Sequence, residues 1–200
     1  MNAAALSLYI VFAVAAFGWR TWAQWRRTGD SGLRLQAQPG TIQWWSKLAF
    51  IAALAAGLAA PIAGLAGADP LAGLDNAYIH VLGVIAAVVG IAATLTAQWQ
   101  MGASWRIGVD PSERTGLVSH GVFATVRNPI FTAMTITAFG LSAMVGNIIA
   151  VVGFLALVVA LQVQVRLVEE PYLRASHGEA YDSYAADAGR FVPGVGRLKP

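Results

Sequence analysis

The sequence predicts an all-α fold, an integral membrane bundle of five transmembrane helices. Hydrophobic residues make up 57% of the chain and charged residues only 12%, which is far from the balance of a soluble domain. The mean hydropathy of +0.60 agrees with this assignment. Several apolar runs also approach the roughly eighteen residues that a helix needs to cross a bilayer.

Five apolar spans follow one another along the chain. At about 1.5 Å per residue most of them can cross a hydrocarbon core of about 30 Å, although the fourth is short. We expect no cleavable signal peptide, because the first span has no basic segment before it and carries its charges after it. The predicted spans are 3–22, 48–65, 77–97, 130–145 and 148–167.

The basic residues indicate how the bundle is oriented. With five spans and the N-terminus outside, all thirteen Lys and Arg residues lie at cytoplasmic helix ends, as the positive-inside rule requires. The outer connections carry only two charges, Asp69 and Asp75. The seven tryptophans lie at the same cytoplasmic ends, where indole rings anchor helices. The net charge of +3 therefore reflects topology, and we expect no nucleic-acid partner.

Most polar residues lie in two long cytoplasmic segments, 98–128 and 169–200. No internal repeat is evident, so residues 1–200 are predicted to form a single membrane domain. The chain has no cysteine and three histidines, none at a metal-pair spacing, so we expect no bound metal. The predicted parts are 1–97 with three spans and 98–200 as the functional core, with a helical hairpin at 130–167 and a cytoplasmic tail.

The start of the fourth span carries the first functional signal. Asn128 is a good N-cap, and Pro129 suits the first helical position, where an N–H has no partner to lose. A helix N-terminus presents free N–H groups and partial positive charge, which favour an anion such as a carboxylate. Arg127 stands beside it and can bind the same anion through two parallel hydrogen bonds. The alternative is an arginine that only anchors the helix end.

An acidic pair, Glu169 and Glu170, follows the fifth span. The turn between the fourth and fifth spans allows only an antiparallel hairpin, so this pair lies beside the start of the fourth span. Adjacent carboxylates at a membrane surface are costly unless they are paired, solvated or matched to a cationic ligand. A local ion pair with Arg166 is the alternative. The two helix ends together suit a zwitterion with extra positive charge, such as S-adenosylmethionine. A phosphorylated nicotinamide cofactor would also use Arg127 and is the alternative.

A series of residues across 98–193 forms a longer pattern. It consists of His120, Gly121, Phe123, Arg127, Asn128, Pro129, Phe131, Glu169, Glu170, Leu173, Gly178, Tyr181, Tyr184, Phe191 and Pro193. In this order and spacing it resembles the isoprenylcysteine carboxyl methyltransferase-like family, which includes phospholipid N-methyltransferase relatives and many bacterial membrane proteins. Phe123 and Phe131 stand where that family often has tyrosine, which leaves the methyl acceptor open.

The resemblance implies an integral membrane methyltransferase in a bacterial inner membrane, with its active site in the cytoplasm. Its implied cofactor is S-adenosylmethionine, its product S-adenosylhomocysteine, and its partner a lipid or lipophilic acceptor that enters from the bilayer. Arg127 and Glu170 are the implied catalytic residues, and the C-terminal helix closes the pocket. The implied cofactor-binding residues are His120, Gly121, Phe123, Arg127, Asn128, Pro129, Glu169, Glu170, Tyr181 and Tyr184.

The sequence leaves the general base and the type of reaction open. A hydroxyl or amine acceptor needs a general base, for which Glu169, Glu170 and His120 are candidates, whereas a carboxylate or thiolate acceptor needs none. A membrane NADPH-dependent reductase is a second possible function, because sterol-reductase-like proteins look similar in the same hairpin. A non-catalytic membrane protein that keeps the fold is a third. The sequence does not predict the oligomeric state.

Overall fold

The computed structural model describes residues 1–110 and 116–198, and its regular secondary structure there is entirely helical. The predicted all-α class is confirmed. Apart from the helices, the described residues form only isolated β-bridges. Two of the thirteen basic residues, Arg114 and Lys199, lie outside the described residues.

Five long helices and one short helix follow in chain order. The first and fifth are continuous but each contains a π-helical turn, at Val14–Trp19 and at Val165–Glu169. The helices are α1 Asn2–Thr28, α2 Ile42–Leu65, α3 Ala77–Met101, α4 Pro129–Val145, α5 Ile148–His177 and α6 Glu179–Asp187.

Four of these helices, α1, α2, α3 and α5, are long and apolar enough to cross a membrane. The fifth apolar helix, α4, has 17 residues, so it rises about 25 Å and is the short span that the sequence predicts. All five predicted spans lie within these helices. At the end of the bundle where α6 lies, most of the observed helices extend several residues beyond the predicted spans.

The turn between α4 and α5 is fixed by one side chain. Asn147 caps α5, because its Oδ1 accepts from the Ala150 N–H at 3.0 Å, and its Nδ2 donates to the Ala60 carbonyl of α2 at 2.9 Å. Thr41 and Asn76 cap α2 and α3 in the same way. Such caps satisfy helix-end N–H groups that lack intrahelical partners.

Small residues let α3 and α4 pack closely. A Cβ atom added at Gly90 would lie 2.5 Å from the backbone nitrogen of Thr137, so the two backbones touch with no side chain between them. This is the usual packing solution in membranes, where hydrophobicity does not drive helices together. The facing positions are Gly83, Ala87 and Gly90 on α3, and Ala133, Thr137 and Gly140 on α4.

We expect Gly90→Ala to lower the free energy of unfolding by about 1–3 kcal/mol, because the added methyl group overpacks this interface. The matched control is Gly18→Ala in α1, where an added Cβ meets no heavy atom within 4 Å. The control should leave stability unchanged or raise it by up to about 1 kcal/mol. Thermal unfolding of detergent-purified protein, followed by tryptophan fluorescence, measures both. Equal unfolding midpoints for the two variants would contradict the tight contact.

A backbone carbonyl within the π turn of α1 accepts a hydrogen bond from a neighbouring helix. Gln98 of α3 donates through Nε2 to the carbonyl of Ala16 at 2.9 Å. One turn further along, Arg20 is buried and donates to the Gly102 carbonyl at 2.6 Å. Its guanidinium also lies over the Trp105 ring, 4.7 Å from the ring centroid. These contacts satisfy polar groups that the membrane cannot.

The α1–α2 strap, residues 29–41, packs against the segment that follows α3. The Arg34 N–H donates to the Ile107 carbonyl at 2.8 Å, and the Ile107 N–H donates to the Gly32 carbonyl at 2.8 Å. Lys47 of α2 donates through Nζ to the Arg34 carbonyl at 2.7 Å. The strap therefore forms a fixed wall at the end of the bundle where α4 begins.

Candidate functional site

The C-terminal tail, residues 188–198, folds back against the start of α4. The Arg127 N–H donates to the Gly189 carbonyl at 2.7 Å, and the Gly189 N–H donates to the Thr125 carbonyl at 3.1 Å. The Asn128 N–H donates to the Arg190 carbonyl at 3.2 Å. The start of α4, the end of α5 and the tail therefore meet in one place.

An ion triad lies at this meeting point. Glu170 Oε1 accepts from Arg127 Nη2 at 2.8 Å and from Arg190 Nε at 2.7 Å. Glu170 Oε2 accepts from Arg190 Nη2 at 2.9 Å. The carboxylate raises the pKa of Arg190, chiefly through these hydrogen bonds. Removal of one partner would leave uncompensated charge in a buried place, which is strongly unfavourable.

Arg127 is directed at the protein itself. Its side chain is only 2% exposed. Its Nη1 donates to the carbonyls of Ala185 at 3.0 Å and Ala188 at 2.5 Å. Its Nη2 donates to the Gly196 carbonyl at 3.0 Å as well as to Glu170. One guanidinium thus holds α5, α6 and the tail together at the start of α4.

Helix α4 begins at Pro129 with Asn128 at the N-cap position, as the sequence predicts. The Asn128 side chain makes no capping hydrogen bond. Instead its Nδ2 donates to the Arg190 carbonyl at 3.0 Å. The first N–H groups of an α-helix have no intrahelical acceptor, so the partial positive charge at this helix end remains available to an anion.

A cavity of about 800 Å³ lies beside this junction, lined by residues of all six helices, the α1–α2 strap and the described segments between α3 and α4. Its size falls within the range of about 300–1,000 Å³ that is typical of small-molecule sites. Most of its wall is apolar, with Phe17, Leu54 and Met134 among its residues. Its ionisable groups include Arg127, Glu169 and Glu170 near the end of α5, and Lys47 and Arg106 beside the α1–α2 strap.

Most of the predicted site residues line this cavity. They are Phe123, Arg127, Asn128, Pro129, Glu169, Glu170, Tyr181 and Tyr184.

His120 and Gly121 are not part of the cavity wall. His120 is exposed and precedes the 3₁₀ turn Gly121–Ala124. That turn is held to the end of α3, because Gln100 Oε1 accepts from the Val122 N–H at 2.8 Å. The structure thus places these two residues in the connection that leads into α4, outside the cavity wall to which the other eight belong.

The two adjacent glutamates differ sharply in their surroundings. Glu170 is bound by two arginines, as described above. Glu169 lines the cavity and accepts one hydrogen bond, from Gln164 Nε2 to its Oε1 at 3.1 Å. No Lys, Arg or His among residues 1–110 and 116–198 forms an ion pair with Glu169. A carboxylate in such a place calls for a cation or a proton donor.

Two tyrosines of α6 complete the wall. The Tyr184 hydroxyl donates to the Phe123 carbonyl at 2.7 Å. Tyr181 is 1% exposed, and its ring packs edge-on against that of Tyr184. Burial raises the pKa of both hydroxyls to about 12. Both are therefore neutral hydrogen-bond donors at physiological pH.

Three residues of the site were not identified from the sequence. Arg190 gave no signal, because the tail that carries it has no periodic pattern. Gln164 interrupts an otherwise apolar run, and a polar residue in such a run is a recognisable signal. Ser46 gave no signal, because a single serine near a helix start is common. In the structure its Oγ donates to Gln164 Oε1 at 2.6 Å.

The five apolar helices, with a large cavity at one end of them, define an integral membrane protein. The chain belongs to the phospholipid methyltransferase family, whose family model matches residues 78–180. The match runs from the start of α3 into α6, so α1 and α2 lie before it. The predicted resemblance to the isoprenylcysteine carboxyl methyltransferase-like proteins is confirmed.

A solved structure agrees with this assignment. It is that of the eukaryotic intramembrane Ras methyltransferase ICMT (isoprenylcysteine carboxyl methyltransferase), with a TM-score of 0.60 and 21% sequence identity. The alignment covers 77% of this chain and 55% of that one, so the present chain spans about half the length of the relative. The likeness shows a shared fold. No curated protein matches the sequence.

Proposed function

We propose that the protein is an S-adenosylmethionine-dependent methyltransferase that acts on a lipophilic acceptor. The observation that carries the proposal is the cavity beside the start of α4, whose largely apolar wall includes the unpaired carboxylate of Glu169. Its volume of about 800 Å³ leaves room for a nucleoside cofactor and part of an acceptor together. Membership of the phospholipid methyltransferase family supports the same reaction.

The residues present fit the charges of this cofactor. The free N–H groups at the start of α4 would receive its carboxylate. Glu169 would face its cationic part, since no protein cation among the described residues pairs with this carboxylate. Arg127 and Glu170 then have a positioning role, because their mutual contact and Arg190 occupy them.

Bound S-adenosylmethionine would supply a methyl group that its sulfonium already activates. The chain therefore has to bind, orient and exclude water, which are contributions of proximity and desolvation. Tyr181 and Tyr184 line the cavity on the side of α6, where they would help to exclude water. Glu169 is the group placed to accept a proton if the acceptor is a hydroxyl or an amine.

The acceptor is proposed to enter from the bilayer, along the apolar part of the wall between α1 and α2. Phe17 of α1 and Ile51 and Leu54 of α2 line that part. The site is proposed to lie on the cytoplasmic face of a bacterial inner membrane. Every Lys and Arg of the described residues lies in the cavity-side half of a helix or in a segment beyond that end, as expected for a cytoplasmic surface.

We expect the purified protein to bind S-adenosylmethionine and S-adenosylhomocysteine and to leave NADPH unbound. Calorimetric titration in detergent with each ligand tests this expectation. NADPH binding alone would indicate a reductase in place of a methyltransferase. Absence of binding to all three ligands would favour a membrane protein that keeps the fold without the reaction.

A further inference from the structure

A chain of hydrogen bonds crosses the cavity wall from α2 to α5. Ser46 of α2 is buried, with 2% of its surface exposed. Its Oγ lies 2.6 Å from Gln164 Oε1, and the Gln164 Nε2 lies 3.1 Å from Glu169 Oε1. A serine on one helix is thereby connected to the unpaired carboxylate on another through a single amide.

The direction of this chain follows from the chemistry of its ends. A carboxylate only accepts hydrogen bonds, so the amide must present its NH₂ group to Glu169 and its oxygen to Ser46. The Ser46 hydroxyl then donates to that oxygen. Ser46 thus selects the amide orientation in which Gln164 can bind an ionised Glu169.

The π turn in α5 makes the contact possible. Gln164 and Glu169 are five residues apart, and in a regular α-helix such residues point about 140° away from each other. Neighbours on an α-helix are three or four residues apart. The π turn at Val165–Glu169 follows directly after Gln164 and places residues five apart above one another. The π turn therefore brings Gln164 and Glu169 close enough for their hydrogen bond.

We propose that Gln164 and Ser46 are positioning residues that hold the Glu169 carboxylate toward the cationic part of the cofactor. This rests on the proposed function. It also assigns a part in the site to α2, which lies before the segment that matches the family model. Gln164 and Ser46 act only through Glu169, so their effect on cofactor affinity should depend on whether Glu169 is present.

A double-mutant cycle on S-adenosylmethionine binding tests this dependence. We expect Glu169→Gln and Gln164→Leu each to weaken binding about tenfold or more, because each removes a hydrogen-bonded partner of a charged group. In the Glu169→Gln background, Gln164→Leu should weaken binding by less than about a further twofold. Ser46→Ala should weaken binding in the same way as Gln164→Leu, with a large effect only when Glu169 is present. Ser46→Thr keeps the hydroxyl and should bind with an affinity close to that of the wild type.

Gln162→Leu is the matched control, since Gln162 lies on the same helix and accepts from Arg166 Nε at the surface instead. It should bind like the wild type, and unfolding midpoints establish that all variants are folded. Equal losses from Gln164→Leu in both backgrounds, or no effect of Gln164→Leu at all, overturn the positioning role. A wild-type protein that does not bind S-adenosylmethionine overturns the proposed function as well, so the two failures are distinguishable.

Discussion

Replacement of Glu170 by glutamine is expected to lower the free energy of unfolding by about 3–5 kcal/mol, because it leaves buried guanidinium groups without their counter-charge. Arg127 and Arg190 both donate to this carboxylate. A neutral amide has one acceptor oxygen in place of two and directs its own N–H groups at a guanidinium. The tail should detach from α4 and S-adenosylmethionine binding should be lost.

Thermal unfolding and hydrogen exchange of residues 188–198 measure the two parts of this result. Glu179→Gln is the matched control, since Glu179 is exposed at the start of α6. It should change stability by no more than about 0.5 kcal/mol. If exchange in the tail were the same in Glu170→Gln as in the wild type, the triad would not be what holds the tail.

Arg127→Lys is expected to have a comparable effect although it preserves the charge. The two terminal nitrogens of Arg127 reach Glu170 and the carbonyls of Ala185, Ala188 and Gly196. A lysine ammonium is a single point with three donors and cannot reproduce that planar fork. Loss of several hydrogen bonds to a buried charge should cost about 3 kcal/mol or more.

Arg27→Lys, at the exposed end of α1, is the control for this substitution and should leave the unfolding midpoint in place. Calorimetric titration should detect no S-adenosylmethionine binding by Arg127→Lys, because the wall that α6 and the tail form is no longer fixed. Binding of wild-type strength would mean that Arg127 contributes only charge, and that the four contacts seen here are dispensable.

The membrane makes the architecture of this chain predictable. Spans must be apolar and helical, so hydropathy predicts the number of helices. Basic residues favour one side of the membrane, so charge predicts the direction of the helices, which stays a prediction. The tight turn at Asn147 then brings Glu169 and Glu170 to the start of α4, where the structure has them. These predictions depend on hydropathy, charge and loop length, which are properties of the linear sequence.

The division of roles within the site could not be predicted in this way. Glu169 and Glu170 are adjacent residues of the same type, so the sequence does not distinguish them. In the structure the Glu170 side chain points to Arg127 and Arg190, whereas the Glu169 side chain lines the cavity. That direction depends on a π turn that has no sequence signature. The position of Arg190 depends on a tail whose path follows individual hydrogen bonds to the α4 start.

The π turn in α1 corrects the phase of a long helix. Phe12, Ala16, Arg20 and Gln24 are buried and recur at every fourth residue. A regular α-helix advances about 40° beyond a full circle at each such step, so this stripe would rotate away from its neighbours. The wider turn at Val14–Trp19 takes back part of that advance. One helix can thereby keep a single face against the rest of the bundle, apolar at Phe12 and Ala16 and polar at Arg20 and Gln24.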